Sequence, residues 1–393
     1  MIVFSIFLSV IIFTGTVMAG FTGTQSELPG SQAPAELYFP FHIHIDPMER
    51  LLLVNIENDP DTLYIGFEPQ LFDDAVNGQG MLVIAWRTDG YVDVYHQPGL
   101  KIQPEKYDIA GNGLAHLVEA PLEGAYFRVE GSGVQAWFKL YDLWGREIEV
   151  NIQESHPGKR KPFGLLAPMG DAARNPSAMP MVFLHDFYFV RQKHTHISIR
   201  INGKSHMPDK LPMPLDRRKM YFARYSPDPL IATLNPAQQG ALTAYPHNGT
   251  RTTYRDNTTL QLEHTGEGYA VKQMSVHHEA HQLNMGFSPA FPDISQWSPG
   301  KRLKGDFRIW GHHTTGHISG HYTLDFQDGR YVLHMIPHKG WKPRTAGKVS
   351  LRFLYTVAGI FRNWPKTYQW TAHIDFNEEG VPVMESDWKR ISR

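Results

Sequence analysis

Residues 317–336, HISGHYTLDFQDGRYVLHMI, alternate apolar and polar side chains on both sides of a Gln-Asp-Gly sequence. Successive side chains of a strand point to opposite faces, so each half of this stretch predicts a half-buried strand. Asp328 and Gly329 tolerate the positive φ angles that a tight hairpin turn requires. The stretch therefore predicts a β-hairpin. Similar strand-like runs, separated by turn residues, recur along the chain.

Other strand-like runs are separated by Gly, Pro, Asn and Asp at intervals of about ten residues. They are 35–45, 51–56, 63–67, 81–86, 91–95, 125–129, 134–140, 147–152, 181–190, 196–201, 220–224, 259–263, 269–276, 282–287, 302–310, 349–355, 368–376 and 381–384. This spacing favours an all-β meander over alternating βαβ units. A single helix is predicted, at 355–363, and it ends before the chain-breaking Pro365.

The chain has 393 residues, and a single hydrophobic core usually stops growing below that size. We therefore expect two antiparallel β-barrel modules of lipocalin-like type, or two sandwiches, with little helix. Residues 207–218, MPDKLPMPLDRR, hold three prolines and five charges and predict the linker. The predicted domains are thus 35–206 and 219–393, and the proline-rich stretch 156–180 is the alternative boundary.

The N-terminus is almost wholly apolar over residues 1–19 and ends in Val17-Met18-Ala19. Val17 and Ala19 place small residues at the −3 and −1 positions of a signal-peptidase site, which predicts a signal peptide followed by a flexible N-terminal tail at 20–34. The protein is then exported, to a periplasm or outside the cell. No Lys or Arg precedes Arg50, so an uncleaved membrane anchor remains the alternative and the one predicted route to membrane contact.

The composition excludes several classes of protein. There is no cysteine, which rules out thiol chemistry and disulfides. Lys and Arg (38) nearly balance Asp and Glu (39), so no net field favours nucleic acid, and no nucleic-acid partner is predicted. The sequence also lacks a Gly-x-Ser-x-Gly elbow, a phosphate loop and a dinucleotide-binding glycine motif. The common hydrolase, kinase and dehydrogenase folds are therefore disfavoured.

The 21 histidines fall into clusters whose spacing bears on metal binding. On a strand, residues two apart face the same side about 7 Å apart, within reach of one metal ion. His42/His44 and His194/His196 are the pairs with this spacing. His194 and His196 are predicted as metal ligands, with a third ligand from elsewhere, such as Asp46, Asp186 or a histidine of 277–281. The alternative is that they line a solvated strand face.

The stretch 277–321 combines histidines with carboxylates and indoles. Imidazoles beside carboxylates inside a barrel can protonate an alkene or hold a polar head group. The predicted catalytic residues are His278, His281, Asp306, His313 and His317. The alternative for each is a position on a polar barrel rim.

Three segments carry a family resemblance: GDFRIW at 305–310, GHYTLDF at 320–326 and DGRYVL at 328–333. They resemble the second half of double-lipocalin proteins, the group with carotenoid hydratase-like and tocopherol cyclase-like members. The resemblance covers the C-terminal half and rests on hairpin style. It implies an interior cavity for an apolar ligand, and no catalytic residue is carried over from it.

The function expected from these observations is that of an exported lipocalin-like protein with an apolar small-molecule partner, a lipid or isoprenoid. Two alternatives stay open. One is a hydratase, cyclase or isomerase on the same scaffold that uses His and Asp as acid and base. The other is a carbohydrate-active β-sandwich protein. An apolar tunnel favours the first, a desolvated His–carboxylate pair the second, and an open aromatic groove the third.

Overall fold

The structure is a computed structural model that describes residues 35–107, 110–167, 176–266, 268–345, 347–357 and 359–391. Strand accounts for about 61% and helix for about 6% of the described residues, which confirms the predicted all-β class. The predicted signal peptide 1–19 and tail 20–34 lie outside the described residues.

Twenty-seven strands are assigned in the described residues. They are β1 (Ala35–Tyr38), β2 (Ile43–Pro47), β3 (Arg50–Asn55), β4 (Tyr64–Asp74), β5 (Gly78–Arg87), β6 (Val92–His96), β7 (Leu114–Glu119), β8 (Tyr126–Glu130), β9 (Gly133–Tyr141), β10 (Glu147–Glu154), β11 (Phe163–Ala167), β12 (Met179–Arg191), β13 (Thr195–Ile201), β14 (Lys204–His206), β15 (Met220–Ser226), β16 (Asp228–Leu234), β17 (Gln238–Ala241), β18 (Ala244–His247), β19 (Arg251–Thr253), β20 (Thr258–Thr265), β21 (Gly268–His278), β22 (His281–Pro292), β23 (Leu303–Trp310), β24 (His317–Gln327), β25 (Arg330–Lys342), β26 (Tyr368–Phe376) and β27 (Pro382–Arg390). The helices are α1 (Val349–Val357) and α2 (Gly359–Asn363), with 3₁₀ turns at Pro104–Tyr107, Ile294–Gln296 and His313–Thr315.

Two sheets form the first module. The larger has the order β2, β16, β12, β15, β3, β4, β5, β6, β7, with β11 also paired to β12. The smaller has the order β14, β13, β10, β9, β8. Its strands β9 and β10 alternate buried and more exposed residues, as expected for a sheet with one face on the core. The pairing of β6 with β7 is parallel, whereas the neighbouring pairs are antiparallel.

The second module is one sheet whose strands follow chain order from β19 to β27, with β17 added beside β27. The short connection 242–250 joins the β17 edge to the β19 edge. Within that connection, β18 pairs with β1. Because so few residues link the two edges, the meander curls back on itself into a barrel-like form.

The strand pairing divides the chain differently from the predicted domains 35–206 and 219–393. Strands β15 and β16, from 220–234, pair within the larger sheet of the first module. At the other end, β1 pairs with β18 of the second module. A proline-rich charged segment marks a break between strands, but long-range pairing decides which sheet the flanking strands join.

The hairpin predicted at 317–336 is confirmed. Gln327 pairs with Arg330, and Asp328 (φ 51°) and Gly329 (φ 86°) form the two-residue turn between β24 and β25. The strand predicted at 349–355 is wrong, because this segment lies in α1. Its Leu351 and Tyr355 are four residues apart and both buried, which is a helical repeat.

The helix predicted at 355–363 is correct in type but begins earlier, at Val349, and is divided into α1 and α2. Among the described residues, no helix combines the length and the hydropathy that crossing a lipid bilayer requires. The two helices instead form the one α-helical insertion of the described meander, between β25 and β26.

Candidate functional site

Aromatic rings fill the interior of the second module. The ring of Phe41 lies 5.0 Å from those of Phe287 and Phe291 and 5.4 Å from that of Trp370. Phe287 and Phe291 belong to β22 and Trp370 to β26, on separate parts of the curled sheet. Phe41 itself comes from the segment after β1, so the N-terminal part of the described chain occupies the centre of this barrel.

An apolar pocket lies outside that barrel, between the first module and helices α1 and α2. Its volume is about 40 Å³. Strands β11, β12 and β15 supply one wall, and the helices and Leu211 complete the lining. The lining residues are Phe163, Leu165, Ala167, Leu184, Phe187, Phe189, Leu211, Phe222, Arg224, Leu351, Leu354, Tyr355 and Phe361.

One polar atom of this pocket has no hydrogen-bond partner among the described residues. It is the hydroxyl oxygen of Tyr355, which is buried. Burial raises the pKa of Tyr355 above its ordinary value, so the hydroxyl keeps its proton. An unsatisfied buried hydroxyl costs about 1–3 kcal/mol, and a ligand oxygen placed beside it would remove that cost.

A charged group also links the segment before α1 to the first module. Lys348 Nζ, just before α1, lies 2.9 Å from Asp216 Oδ2 and donates to the Lys161 carbonyl. Tyr188 donates to the same carboxylate at 3.1 Å.

The outer side of α1 is apolar. Its side chains Val349 and Phe353 are 81% and 52% exposed. Large apolar side chains exposed side by side on a short helix often mark a contact surface.

A histidine–aspartate cluster joins the two modules at a second place. His281 Nε2, on β22, lies 2.7 Å from Asp228 Oδ1, on β16. The ring of His185, on β12, stacks on that of His281 with centroids 4.2 Å apart and 11° between the planes. One ligand atom from each of these three residues lies within 4.8 Å of the other two. We call His185, Asp228 and His281 the junction cluster.

A β-bulge positions His185. Phe163 pairs with Phe187 and Leu165 with Leu184, so β12 contains one residue more than β11 between these pairs. Asp186 takes up the extra residue with a φ of 47°. Bulges re-aim side chains and are frequent beside functional sites. Burial, and then the neighbouring His281, lower the pKa of His185, so its imidazole is neutral at pH 7.

Two further histidines lie beside the junction cluster. The ring of His312 is 5.9 Å from that of His185, and the ring of His313 is 4.1 Å from that of His312. Nδ1 of His312 is 2.7 Å from Thr314 Oγ1, which fixes the ring. Burial and the neighbouring His313 lower the pKa of His312.

The structure places some of the predicted catalytic residues near this cluster. His281 belongs to it, the ring of His313 packs at a tilt against that of its neighbour His312, and His278 pairs with His281 across the β21–β22 hairpin.

The other predicted catalytic residues lie elsewhere on the barrel. His317 pairs with Trp310 and Lys342, and burial lowers its pKa to about 4. Asp306 is paired with Lys339 at 3.1 Å on the sheet surface. The carboxylate and imidazoles of this set are therefore not gathered into one site.

The predicted metal pair lies on the first module. His194 sits in the turn before β13 with a φ of 61°, and His196 is the second residue of that strand. Both side chains are exposed. The ring of His194 packs edge-on against His156 at 5.5 Å. Because His194 precedes the strand, the two-residue spacing does not guarantee that the two rings share a face. The pair stays a prediction.

His185, Asp228 and Tyr355 were missed as site residues by the sequence reasoning. His185 and Asp186 are the polar pair within the apolar run FLHDFYF at 183–189. A polar pair that interrupts a buried strand is the signal that identifies a bulge, and it was available. Asp228 and Tyr355 carry no comparable local signal.

An open cleft of about 320 Å³ lies at one end of the second module. Tyr269, Trp297 and Gln296 line it together with Asp293, whose carboxylate accepts hydrogen bonds from Ser295 and from Tyr38 N. Its aromatic and polar lining is of the kind expected under the carbohydrate alternative.

A buried carboxyl group lies in the larger sheet of the first module. Glu68 is fully buried and accepts hydrogen bonds from Gln70 Nε2 at 2.8 Å and Trp86 Nε1 at 3.2 Å. Burial outweighs these bonds and raises the pKa of Glu68 to about 7. The nearby Arg224 is also buried, which lowers its pKa to about 10.

No family model matches this chain, and no curated protein or solved structure matches it. The site must therefore be interpreted from its own geometry.

Proposed function

We propose that the protein binds an apolar small molecule carrying one oxygen group, such as a long-chain or isoprenoid alcohol, under helices α1 and α2. The observation that carries the proposal is the partnerless hydroxyl of Tyr355 in a pocket otherwise lined almost wholly by apolar side chains. The apolar body of the ligand would contact the apolar side chains that line the pocket. Its oxygen would form a hydrogen bond with the Tyr355 hydroxyl.

The proposed ligand site differs from the one that the double-lipocalin resemblance implies. That resemblance implied a cavity inside a barrel, whereas Phe41 and its aromatic neighbours fill the second barrel. Export, the signal peptide and the resemblance itself stay predictions. So do the acid–base and carbohydrate alternatives.

Binding of a long chain requires α1 and α2 to move outward. The pocket volume of about 40 Å³ is well below the roughly 150 Å³ of an apolar cavity that accommodates benzene. The exposed Val349 and Phe353 would then meet the membrane or micelle that delivers the ligand. Lid segments that open and close over a bound ligand are known from many enzymes.

The proposal is tested with N-phenyl-1-naphthylamine, an uncharged fluorophore, and its displacement by 1-dodecanol or dodecane. We expect the wild-type protein to bind the fluorophore and to release it to dodecanol at lower concentration than to dodecane. Tyr355→Phe should weaken dodecanol by about fivefold to tenfold, the value of one net hydrogen bond, and leave dodecane unchanged. Tyr141→Phe, at an exposed tyrosine, is the matched control.

A second variant fills the pocket. Ala167 is buried in the lining, and Ala167→Val adds two carbon atoms to the space. We expect it to fold with unchanged or higher stability and to lose binding of all three compounds. Full binding by Ala167→Val, or equal dodecanol affinity in wild type and Tyr355→Phe, would contradict the proposal.

A further inference from the structure

We infer that the junction cluster is a binding site for one divalent transition metal ion of the zinc type. His185, Asp228 and His281 supply two imidazole nitrogens and a carboxylate oxygen. These are ligands that Zn²⁺ and similar ions take in proteins, whereas Ca²⁺ and Mg²⁺ prefer oxygen ligands alone.

The distances suit a single ion. Zinc bonds to nitrogen and oxygen are about 2.0–2.2 Å long, so tetrahedral ligand atoms lie roughly 3.3–3.5 Å apart. The three ligand atoms are already within 4.8 Å of one another. His281 Nε2 and Asp228 Oδ1 are 2.7 Å apart across a hydrogen bond, so the ion would displace the proton between them and the two atoms would separate by about 0.6 Å. Side-chain rotations would supply this separation and bring His185 closer.

A second observation concerns the hydrogen bond that orients His185. Its Nδ1 lies 3.0 Å from the backbone oxygen of Asp228. A carbonyl oxygen only accepts, so Nδ1 carries the proton and donates it, which leaves Nε2 with a free lone pair. Metal-binding histidines almost always donate their other ring N–H to a carbonyl or carboxylate in this way. The bulge at Asp186 holds the ring in this orientation.

The three ligands of the junction cluster come from both modules. His185 and Asp228 belong to strands β12 and β16 of the first module, and His281 begins β22 of the second. A bound ion would therefore link the two modules. Asp228 is 51% exposed at its side chain, so solvent or a substrate can reach the ion, and three protein ligands leave a fourth position open.

The site is tested on the full chain after dialysis against EDTA. Titration with ZnCl₂ is followed by calorimetry, and titration with CoCl₂ by the visible absorption of four-coordinate Co²⁺. We expect one ion per chain and a rise in Tm with Zn²⁺, because an ion bound only by the folded protein stabilises it. His281→Gln and Asp228→Asn should each weaken binding by at least about 100-fold and abolish the cobalt absorption.

The controls separate this site from the predicted pair. His194→Ala and His196→Ala alter exposed histidines and should bind Zn²⁺ like the wild type. Circular dichroism and Tm without metal verify that each variant folds. The inference is overturned if the folded wild type takes up no Zn²⁺ or Co²⁺, if His281→Gln and Asp228→Asn bind normally, or if binding is lost instead in the His194 and His196 variants. None of these results depends on the apolar pocket.

Discussion

The buried carboxyl of Glu68 makes the stability of the protein depend on pH in an unusual direction. Its pKa is about 7 in the folded protein against an ordinary value of 4.5. Between these values the folded chain holds the proton and the unfolded chain has released it. Stability therefore falls as the pH rises through this window, and it stays at the lower level above pH 7.

The magnitude follows from the pKa difference. A pKa shift corresponds to about 1.4 kcal/mol per unit, so Glu68 is expected to cost about 3 kcal/mol between pH 4.5 and pH 8. Glu68→Gln keeps the shape and the acceptor for Trp86 Nε1 but cannot ionise. The variant should match the wild type near pH 4.5 and exceed it by about 3 kcal/mol at pH 8.

Urea denaturation followed by tryptophan fluorescence measures this difference at pH values from 4.5 to 8. Glu130→Gln, at an exposed position, is the control and should follow the wild type throughout. A constant difference between Glu68→Gln and the wild type across this range would refute the reasoning, because it would place the titration of Glu68 outside the window.

Two further predictions concern stability. Glu154→Ala should cost about 3–5 kcal/mol in urea denaturation, because it leaves the fully buried Arg191 without its carboxylate; a cost below about 1 kcal/mol would contradict this. Phe41→Ala should also cost about 3–5 kcal/mol, since it empties the centre of the second barrel. Phe376→Ala, at a ring that is 41% exposed, is its control, and equal losses in the two variants would show that Phe41 is not a core residue.

The sequence predicted the local features of the fold well. Alternation and the Asp328-Gly329 turn identify the β24–β25 hairpin because a period of two and positive φ angles are properties of neighbouring residues. The 349–355 segment shows the limit of this approach. A short apolar run suits a strand or a helix, and only the packing of Leu351 and Tyr355 against the first module decides between them.

The candidate sites were harder to predict because they depend on long-range pairing. His185, Asp228 and His281 come together only when β16 pairs with β12 and β22 packs against them. The sequence reasoning reached His281 through its local cluster, but no spacing connects it to the other two. Likewise, Tyr355 is notable only because its hydroxyl is buried without a partner.

The proposed ligand site is tested most directly by a crystal structure of the protein grown with 1-dodecanol. We expect the alkyl chain between β12 and the helices, with α1 and α2 displaced outward and the alcohol oxygen within about 3.2 Å of the Tyr355 hydroxyl. An alkyl chain bound elsewhere, or a structure with the pocket empty and both helices unmoved at saturating dodecanol, would contradict the account.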